Sequence, residues 1–392
     1  MKIALIGGAG AMGRVTAMDL RENDKVKEIL IADYQSEKAK ECAAGFNDPR
    51  IKASFVDANK IEEMAELLQG YDAVINAAQY YVNLNVMRAC LKAGVHYNDL
   101  GGMFHTTREQ LKLSEDFKKA KLTAVLGIGA APGITNVLAR YGYDQLDEVE
   151  IVRVSDAGID LTDMKGIDVF TPAYSIRTIM EEYTDDSVQF LDGEYRTLPP
   201  LSGRMEIEFP PPIGRQICIH TLHSEPATIP ESFKNKGVKE VTWRLSLPAG
   251  FEERAQFLAS IGFGSKEPIT VQGVDVVPVE VMASVVEKQL EDKLKGVALE
   301  VHDEECLRAQ VIGKKNGRNV ECTVDCLVAT HSRWGVSHAT SVPPAIAAEM
   351  QVEGDVEPGV WGPEQAIDPV KFFKELGKRE MRIRVTRKED VT

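Results

Sequence analysis

The chain has 392 residues, 44% of them hydrophobic and 27% charged, a balance that suits two globular domains with ordinary cores and requires no disorder. Its net charge of -14 and pI near 5.1 disfavour nucleic acid or an anionic membrane surface as partner, since both need a basic face. No long apolar span and no signal segment stands out, so the expected compartment is the cytoplasm.

Lys2-Ile3-Ala4-Leu5-Ile6 has the length and β-branching of a buried parallel strand. Gly8-Ala9-Gly10-Ala11-Met12-Gly13 follows at once and fits G-x-G-x-x-G, with a helix expected over Arg14 to Arg21. In this pattern Gly8 permits a tight turn, Gly10 lets a pyrophosphate approach the backbone and Gly13 lets helix and strand pack closely. The phosphates then sit at the positive helix N-terminus, by Ala11 and Met12. A second apolar run, Ile29 to Ala32, ends in Asp33, 20 residues beyond Gly13, where a carboxylate meets the hydroxyl pair of an adenine ribose. That carboxylate repels a 2′-phosphate, and Tyr34 stands where a phosphate site favours arginine. NAD rather than NADP is therefore the expected cofactor, with Lys38 and Lys40 the nearby cations that oppose this reading.

Strands and helices continue to alternate. A helix is expected at Ser36 to Ala44, a strand at Ile51 to Val56 ending in Asp57, a helix at Lys60 to Leu68 and a strand at Asp72 to Asn76. Then come a helix at Asn83 to Ala93, a strand at His96 to Asp99, a helix at Thr107 to Lys121 and a strand at Leu122 to Leu126. This rhythm predicts an α/β fold, a Rossmann doubly wound parallel sheet, over residues 1–130. Such sheets bind ligands beyond the carboxyl ends of their strands, which singles out Asp57, Ala77, Ala78, Tyr80, Asp99 and Leu100. The glycine-rich run Gly127 to Asn136 leads into a helix whose N-terminus suits a carboxylate, with Gly133 and Asn136 at its start; a domain hinge is the alternative.

From Val149 the texture changes. Strands at Glu150 to Val154, Gln216 to His220, Val241 to Leu247, Leu307 to Ile312 and Asn319 to Ala329 show no regular helix between them. They predict a second α+β domain on a mixed or antiparallel sheet over residues 131–335. Asn316-Gly317 marks a hairpin turn. Seven of the 18 prolines lie between Pro199 and Pro230, which reads as an extended loop. Helices at Pro343 to Met350 and Pro369 to Leu376 belong to a tail, residues 336–392, expected to return to the first domain. The six cysteines form no CxxC pair and read as reduced structural thiols, with no metal site.

These residues resemble the saccharopine dehydrogenase-like family, which includes saccharopine reductases, lysine 6-dehydrogenases and carboxynorspermidine dehydrogenases. The resemblance is carried by GGAGAMG at Gly7 to Gly13, DAVINAAQYY at Asp72 to Tyr81, HYNDLGG at His96 to Gly102 and GIGAAPGITNVLARYG at Gly127 to Gly142. It continues through SVPPAIAAEM at Ser341 to Met350 and GVWGPEQ at Gly359 to Gln365. DLGG, APG and LDEVE are most similar to the lysine 6-dehydrogenase branch. The resemblance implies an NAD(P)-linked oxidoreductase acting on a carbon–nitrogen bond of an amino acid or amine, homodimeric, with a second domain closing over the nicotinamide. It also implies Tyr80 and Asp99 at the nicotinamide end. Oxidising an amine needs a base, for which Asp99 is the first choice and His96 the second. By the same resemblance Arg177, His220 and Thr221 line the substrate cleft. Where saccharopine reductases carry an arginine shortly before Gly-Phe, Gly250-Phe251 here follows Leu247-Pro248-Ala249, which counts against saccharopine itself. Three functions follow: oxidative deamination of the lysine 6-dehydrogenase type, reductive condensation of an aldehyde with an amino acid as saccharopine and carboxynorspermidine makers do, or dinucleotide binding for regulation without turnover.

Overall fold

Six short runs form strands in chain order: β1 (Lys2–Ile6), β2 (Glu28–Asp33), β3 (Ile51–Phe55), β4 (Ala73–Asn76), β5 (His96–Asp99) and β6 (Thr123–Val125). β1 is buried from Ile3 onward, as an unbroken apolar run must be when helices cover both faces of a sheet. The computed structural model describes residues 1–329 and 337–390 of the chain. Further along come β7 (Glu148–Asp160), β8 (Ser187–Leu191), β9 (Glu194–Leu198), β10 (Met205–Glu208), β11 (Arg215–Cys218) and β12 (Glu240–Ser246). The remaining strands are β13 (Ile269–Val271), β14 (Val274–Val276), β15 (Asp303–Lys315), β16 (Arg318–Ala329), β17 (Gly359–Trp361) and β18 (Arg382–Glu389).

The first sheet has the order β17-β6-β5-β4-β1-β2-β3, with every pairing parallel. The order reverses between β1 and β4, so the crevice where a doubly wound sheet takes its ligand opens beside the glycine turn. The second sheet, β18-β16-β15-β7-β12-β8-β9, is mixed: β7 and β12 run parallel and the other pairs antiparallel. β15 and β16 meet through Asn316 and Gly317, with φ of 52° and 78°, the left-handed pair that a two-residue hairpin turn requires.

Several expected elements differ. The helix expected at Thr107 to Lys121 is two, Met103–Leu111 and Ser114–Ala120, the second opening on Glu115 and Asp116, which suit a positive helix N-terminus. The proline-rich stretch is no loose loop. Pro210 to Pro212 lie at the turn of the β10–β11 hairpin, and Pro226 opens a buried helix, Glu225–Phe233. Helices also stand at Ile176–Thr184, Ala249–Ser260 and Pro278–Leu294, where none was expected. In the last, Val279, Met282, Ala283 and Val286 are buried at the spacing of one helix face.

The tail returns to the first sheet as a helix, His338–Glu353, and as β17; its boundary at 335/336 lies outside the described residues. Its last strand does not stay there: β18 pairs with β16 in the second sheet. The 338–353 helix is pinned by Gln351, whose buried amide donates to the carbonyls of Tyr97 (2.8 Å) and Thr123 (3.2 Å) and accepts from Asn98 Nδ2 (3.0 Å). Such bonds specify position because leaving any of these groups unpaired in the core costs about 1–3 kcal/mol. Thr16 Oγ1, on the helix after the glycine turn, donates to the Ser341 carbonyl (2.8 Å), so the tail braces that helix directly.

Candidate active site

The glycine turn forms as its residues dictate. The amides of Gly7 and Gly8 both donate to the Ala32 carbonyl (2.9 and 3.2 Å), and the following helix, Ala11–Leu20, starts three residues earlier than expected. A Cβ on Gly13 would lie 2.6 Å from Gly8 Cα, so only glycine lets the helix approach the turn this closely. That helix has no side-chain cap and no acid in its first turn. Its positive end is thus suited to a pyrophosphate beside Gly8, Gly10, Ala11 and Met12. Asp33, at the end of β2, accepts from the amides of Ala9 (3.2 Å) and Gln35 (3.0 Å), which sets its carboxylate beside the turn. Asp57 closes a local turn by accepting from Asn59 N (2.9 Å). These residues fit a dinucleotide, whose nicotinamide would supply or accept a hydride.

From Met12, Ala77, Ala78, Tyr80 and Leu100 a cavity of about 540 Å³ extends between the two sheets. Tyr80 is half-buried; burial and then the neighbouring Glu181 raise its phenol above the ordinary range. The opposite wall comes from the second domain and is acidic. Asp156 and Asp160 on β7, Glu182 on the 176–184 helix, and Asp303, Glu304 and Glu305 on β15 all line it, whereas no described lysine or arginine does.

Four of these carboxyl groups, Asp156, Glu182, Asp303 and Glu305, are withdrawn from water with no described lysine or arginine bonded to them. Burial raises Glu182 to about 7, and Tyr174 donates its hydroxyl to it at 2.6 Å. Burial likewise raises Glu305 to about 7, and burial together with the Glu305 charge pushes Asp156 well above the carboxylate range. Two adjoining carboxyls repel each other when both are charged, which favours a proton on this pair. Asp156 Oδ1 is buried with no hydrogen-bond partner. Asp303 is raised to about 6 by burial and then by Asp160.

His223 completes this wall. Its ring stacks on Trp243, 4.1 Å between centroids at 11°, and its Nδ1 bonds Glu225 Oε2. Glu225 is fully buried and accepts from Thr135 Oγ1 at 3.0 Å.

Several residues expected in the site have other places. Asp99 is buried and accepts from Tyr97 Oη (2.8 Å), Gln110 Nε2 (2.6 Å), Asn83 Nδ2 (3.2 Å) and the amides of Gly101 (2.9 Å) and Gly127 (2.6 Å). With its lone pairs committed to five donors, it shapes the two turns under the cavity and is not free to act as a base. His96 begins β5, at the end of the strand remote from the cleft, and its Nδ1 accepts from Thr123 N at 3.1 Å. Arg177 lies on the outer side of its helix, where Glu280 and Glu287 bind it at 2.9 and 2.8 Å; it does not line the cavity.

Asn136 and Gly133 form a buried knot at the start of the Ile134–Asp144 helix. Asn136 Oδ1 accepts from Gly133 N (3.1 Å) and its Nδ2 donates to Glu364 (2.7 Å), which leaves that helix end already capped. His220 is buried with Nδ1 against the Trp243 carbonyl (2.8 Å); burial, then Arg244, lowers it to about 4. Thr221 Oγ1 accepts from Trp243 Nε1 (2.8 Å). Both therefore hold the tryptophan on which His223 stacks. The histidine facing the cavity is three positions further on, in a segment whose prolines concealed a helix N-terminus at Ser224-Glu225-Pro226.

Residues 3–125 match the family model described as saccharopine dehydrogenase NADP binding domain, and residues 129–381 the one described as saccharopine dehydrogenase C-terminal domain. A carboxyaminopropylagmatine dehydrogenase from Synechocystis sp. is 26% identical over 394 residues, covering 96% of each chain. A carboxynorspermidine synthase from Vibrio cholerae is 28% identical over 405 residues, 94% of this chain and 93% of the relative. Among solved structures, apo L-Glu-forming saccharopine dehydrogenase from Saccharomyces cerevisiae shares the fold, with TM-score 0.69 at 16% identity over 98% of this chain and 99% of that one.

Because the Arg177 ion pairs lie outside the cavity and are partly solvated, Arg177→Ala is expected to leave kcat/KM within about three-fold of wild type, with at most ~1 kcal/mol lost in denaturant unfolding per exposed pair. A loss of about a hundred-fold in kcat/KM would instead identify it as a substrate-carboxylate ligand.

Proposed function

The chain belongs to the saccharopine dehydrogenase family, and from that premise we propose that it is a nicotinamide-dependent oxidoreductase that makes or breaks a secondary amine in a carboxylated polyamine. The observation that carries this reading is the wall of buried carboxyl groups that no described lysine or arginine neutralises. A polyamine brings two or more ammonium groups, each able to meet one of Asp156, Glu182, Asp303 or Glu305 and so to relieve the burial of its charge. Lysine as substrate brings two ammonium groups, one of them beside its own α-carboxylate, and so sets less positive charge against this wall than a polyamine does. The lysine 6-dehydrogenase reading therefore gives way to reductive condensation, the reaction class to which the names of the Synechocystis and Vibrio relatives also point.

In the forming direction, the amine nitrogen adds to an aldehyde carbon, water leaves, and the resulting iminium carbon receives a hydride. The acids of the second domain bind and orient the cationic chain. Tyr80 and the Ala77-Ala78 turn close the cavity at the nicotinamide end.

A substrate panel tests this reading. Oxidation of reduced dinucleotide with a short carboxylated aldehyde should proceed with a diamine or polyamine at a kcat/KM at least roughly ten-fold above that with lysine, the cost of one like-charge contact in a partly screened site. Efficient oxidative deamination of lysine without turnover of any polyamine would contradict it.

For the cofactor we propose NAD, on the position of Asp33 at the ribose end, although the matched domain is described by NADP. Wild type should favour NAD by about ten-fold in kcat/KM, and Asp33→Ala should erode that ratio. A wild-type preference for NADP would show that nearby cations such as Lys38 and Arg14 outweigh the carboxylate.

A further inference from the structure

We infer that His223 is the proton carrier of carbon–nitrogen bond formation, held for that role by Glu225 and Thr135 and assisted by the Ser224 hydroxyl. The inference rests on the secondary-amine reading above and adds to it the residue that moves the proton.

A carboxylate only accepts, so the contact with Glu225 fixes the proton of neutral His223 on Nδ1 and leaves Nε2 as the free ring nitrogen at the cavity wall. The ring cannot swing away. One face lies on Trp243, whose indole is held by Thr221 Oγ1 and whose amide donates to Gln189 Oε1 (2.8 Å). Glu225 in turn is fixed by the Thr135 hydroxyl, on the helix that leaves the first domain. A histidine oriented by a carboxylate that is itself oriented has the arrangement of a general acid–base.

The neighbouring Ser224 supplies a second, separate sign of a ligand. Its side chain is 4% exposed, lines the cavity, and its Oγ has no hydrogen-bond partner. Buried hydroxyls are seldom left unpaired, so this one is placed for a polar group that arrives with the substrate.

The proton accounting closes on this residue. The incoming ammonium gives one proton to Nε2 and becomes the nucleophilic amine. Its lone pair forms the carbon–nitrogen bond, while the aldehyde oxygen becomes a hydroxyl by taking a proton that leaves the nitrogen. His223 then returns its proton to that hydroxyl, the carbon–oxygen bond breaks, water departs against Ser224, and the nitrogen lone pair completes the iminium. Reduced dinucleotide supplies the hydride to the iminium carbon and is oxidised; the neutral secondary amine then takes a proton from solvent.

The groups facing His223 set its titration. Burial lowers its pKa, and the carboxylates of Glu225 in its own segment and Glu182 on the 176–184 helix outweigh this, leaving it above the usual value. The Glu182–Tyr174 pair lies on the same wall, and Asp156 on β7 adds a further carboxyl near Glu182. Catalysis in the forming direction needs neutral His223, so kcat/KM for the amine should rise with pH through this group.

The test uses whichever amine the wild-type enzyme turns over, so that failure of the polyamine reading in the panel and failure of this assignment remain separate results. His223→Gln should lower kcat by about a hundred-fold or more, with dinucleotide affinity within about three-fold, and should remove the acidic limb of the pH profile. Glu225→Gln should move that limb to lower pH, because it removes the charge that raises the histidine. If His223→Gln keeps kcat within about three-fold and retains the limb, the assignment is overturned. Should His223→Gln fail to bind dinucleotide, the Glu225→Gln profile decides: an unmoved limb overturns the assignment and a limb at lower pH supports it.

Discussion

A carboxyl group taken out of water must meet a cation, gather hydrogen-bond donors as Asp99 does, or keep its proton, and this constraint governs the cleft. Four such groups, Asp156, Glu182, Asp303 and Glu305, stand in one wall with raised affinities for protons, and no described lysine or arginine in that wall neutralises them. Moving Glu182 from 4.5 to about 7 corresponds to about 3 kcal/mol by which burial disfavours its charged form. A wall built this way is suboptimal for stability alone, since apolar side chains of similar volume would avoid the cost. It becomes favourable when a cationic chain enters and restores the charges it pairs with.

The fold brings this wall to the hydride site by division of labour. The parallel sheet reverses its strand order beside the glycine turn and offers a neutral floor of Ala77, Ala78, Leu100 and Met12. The mixed sheet offers the acids from β7 and β15, paired antiparallel so that Asp156 lies opposite Leu307 and Glu305 opposite Gly158. Asp99 and its five donors fix the turns at Gly101 and Gly127 between these layers, and Gln351 locks the tail helix across β5 and β6. The polar knots thus serve geometry, and the carboxyl groups with raised proton affinity stand on the facing domain.

Local patterns were legible in the sequence where one short stretch contains the whole physical reason. The glycine turn, Asp33, the alternation of strands and helices and the Asn316-Gly317 hairpin are of this kind. His96 could have been set aside on the same grounds, because the first residue of a parallel strand lies at the end away from the ligand. Asp99 was harder: Tyr97-Asn98-Asp99 is a wholly buried polar run, a sign of internal bonding, but its donors come from Asn83, Gln110 and Gly127. The acidic wall was not legible at all, since Asp156, Glu182 and Glu305 are brought together only by the sheet register and one helix. His223 was not legible because prolines mark breaks in a sequence pattern, whereas Pro226 here starts a helix.

The central claim is that the cleft exchanges protons for ammonium groups, and calorimetric titration of a polyamine into the dinucleotide-bound protein tests it most directly. Run near pH 7 in buffers of different ionisation enthalpy, it counts the protons released on binding. With Glu182 and Glu305 raised to about 7 and Asp156 raised further, protons should leave as the polyamine binds, and their number should fall toward zero as the pH is raised beyond the range where these acids hold protons. Binding with no proton release between pH 6 and 8, or proton uptake there, would contradict the account.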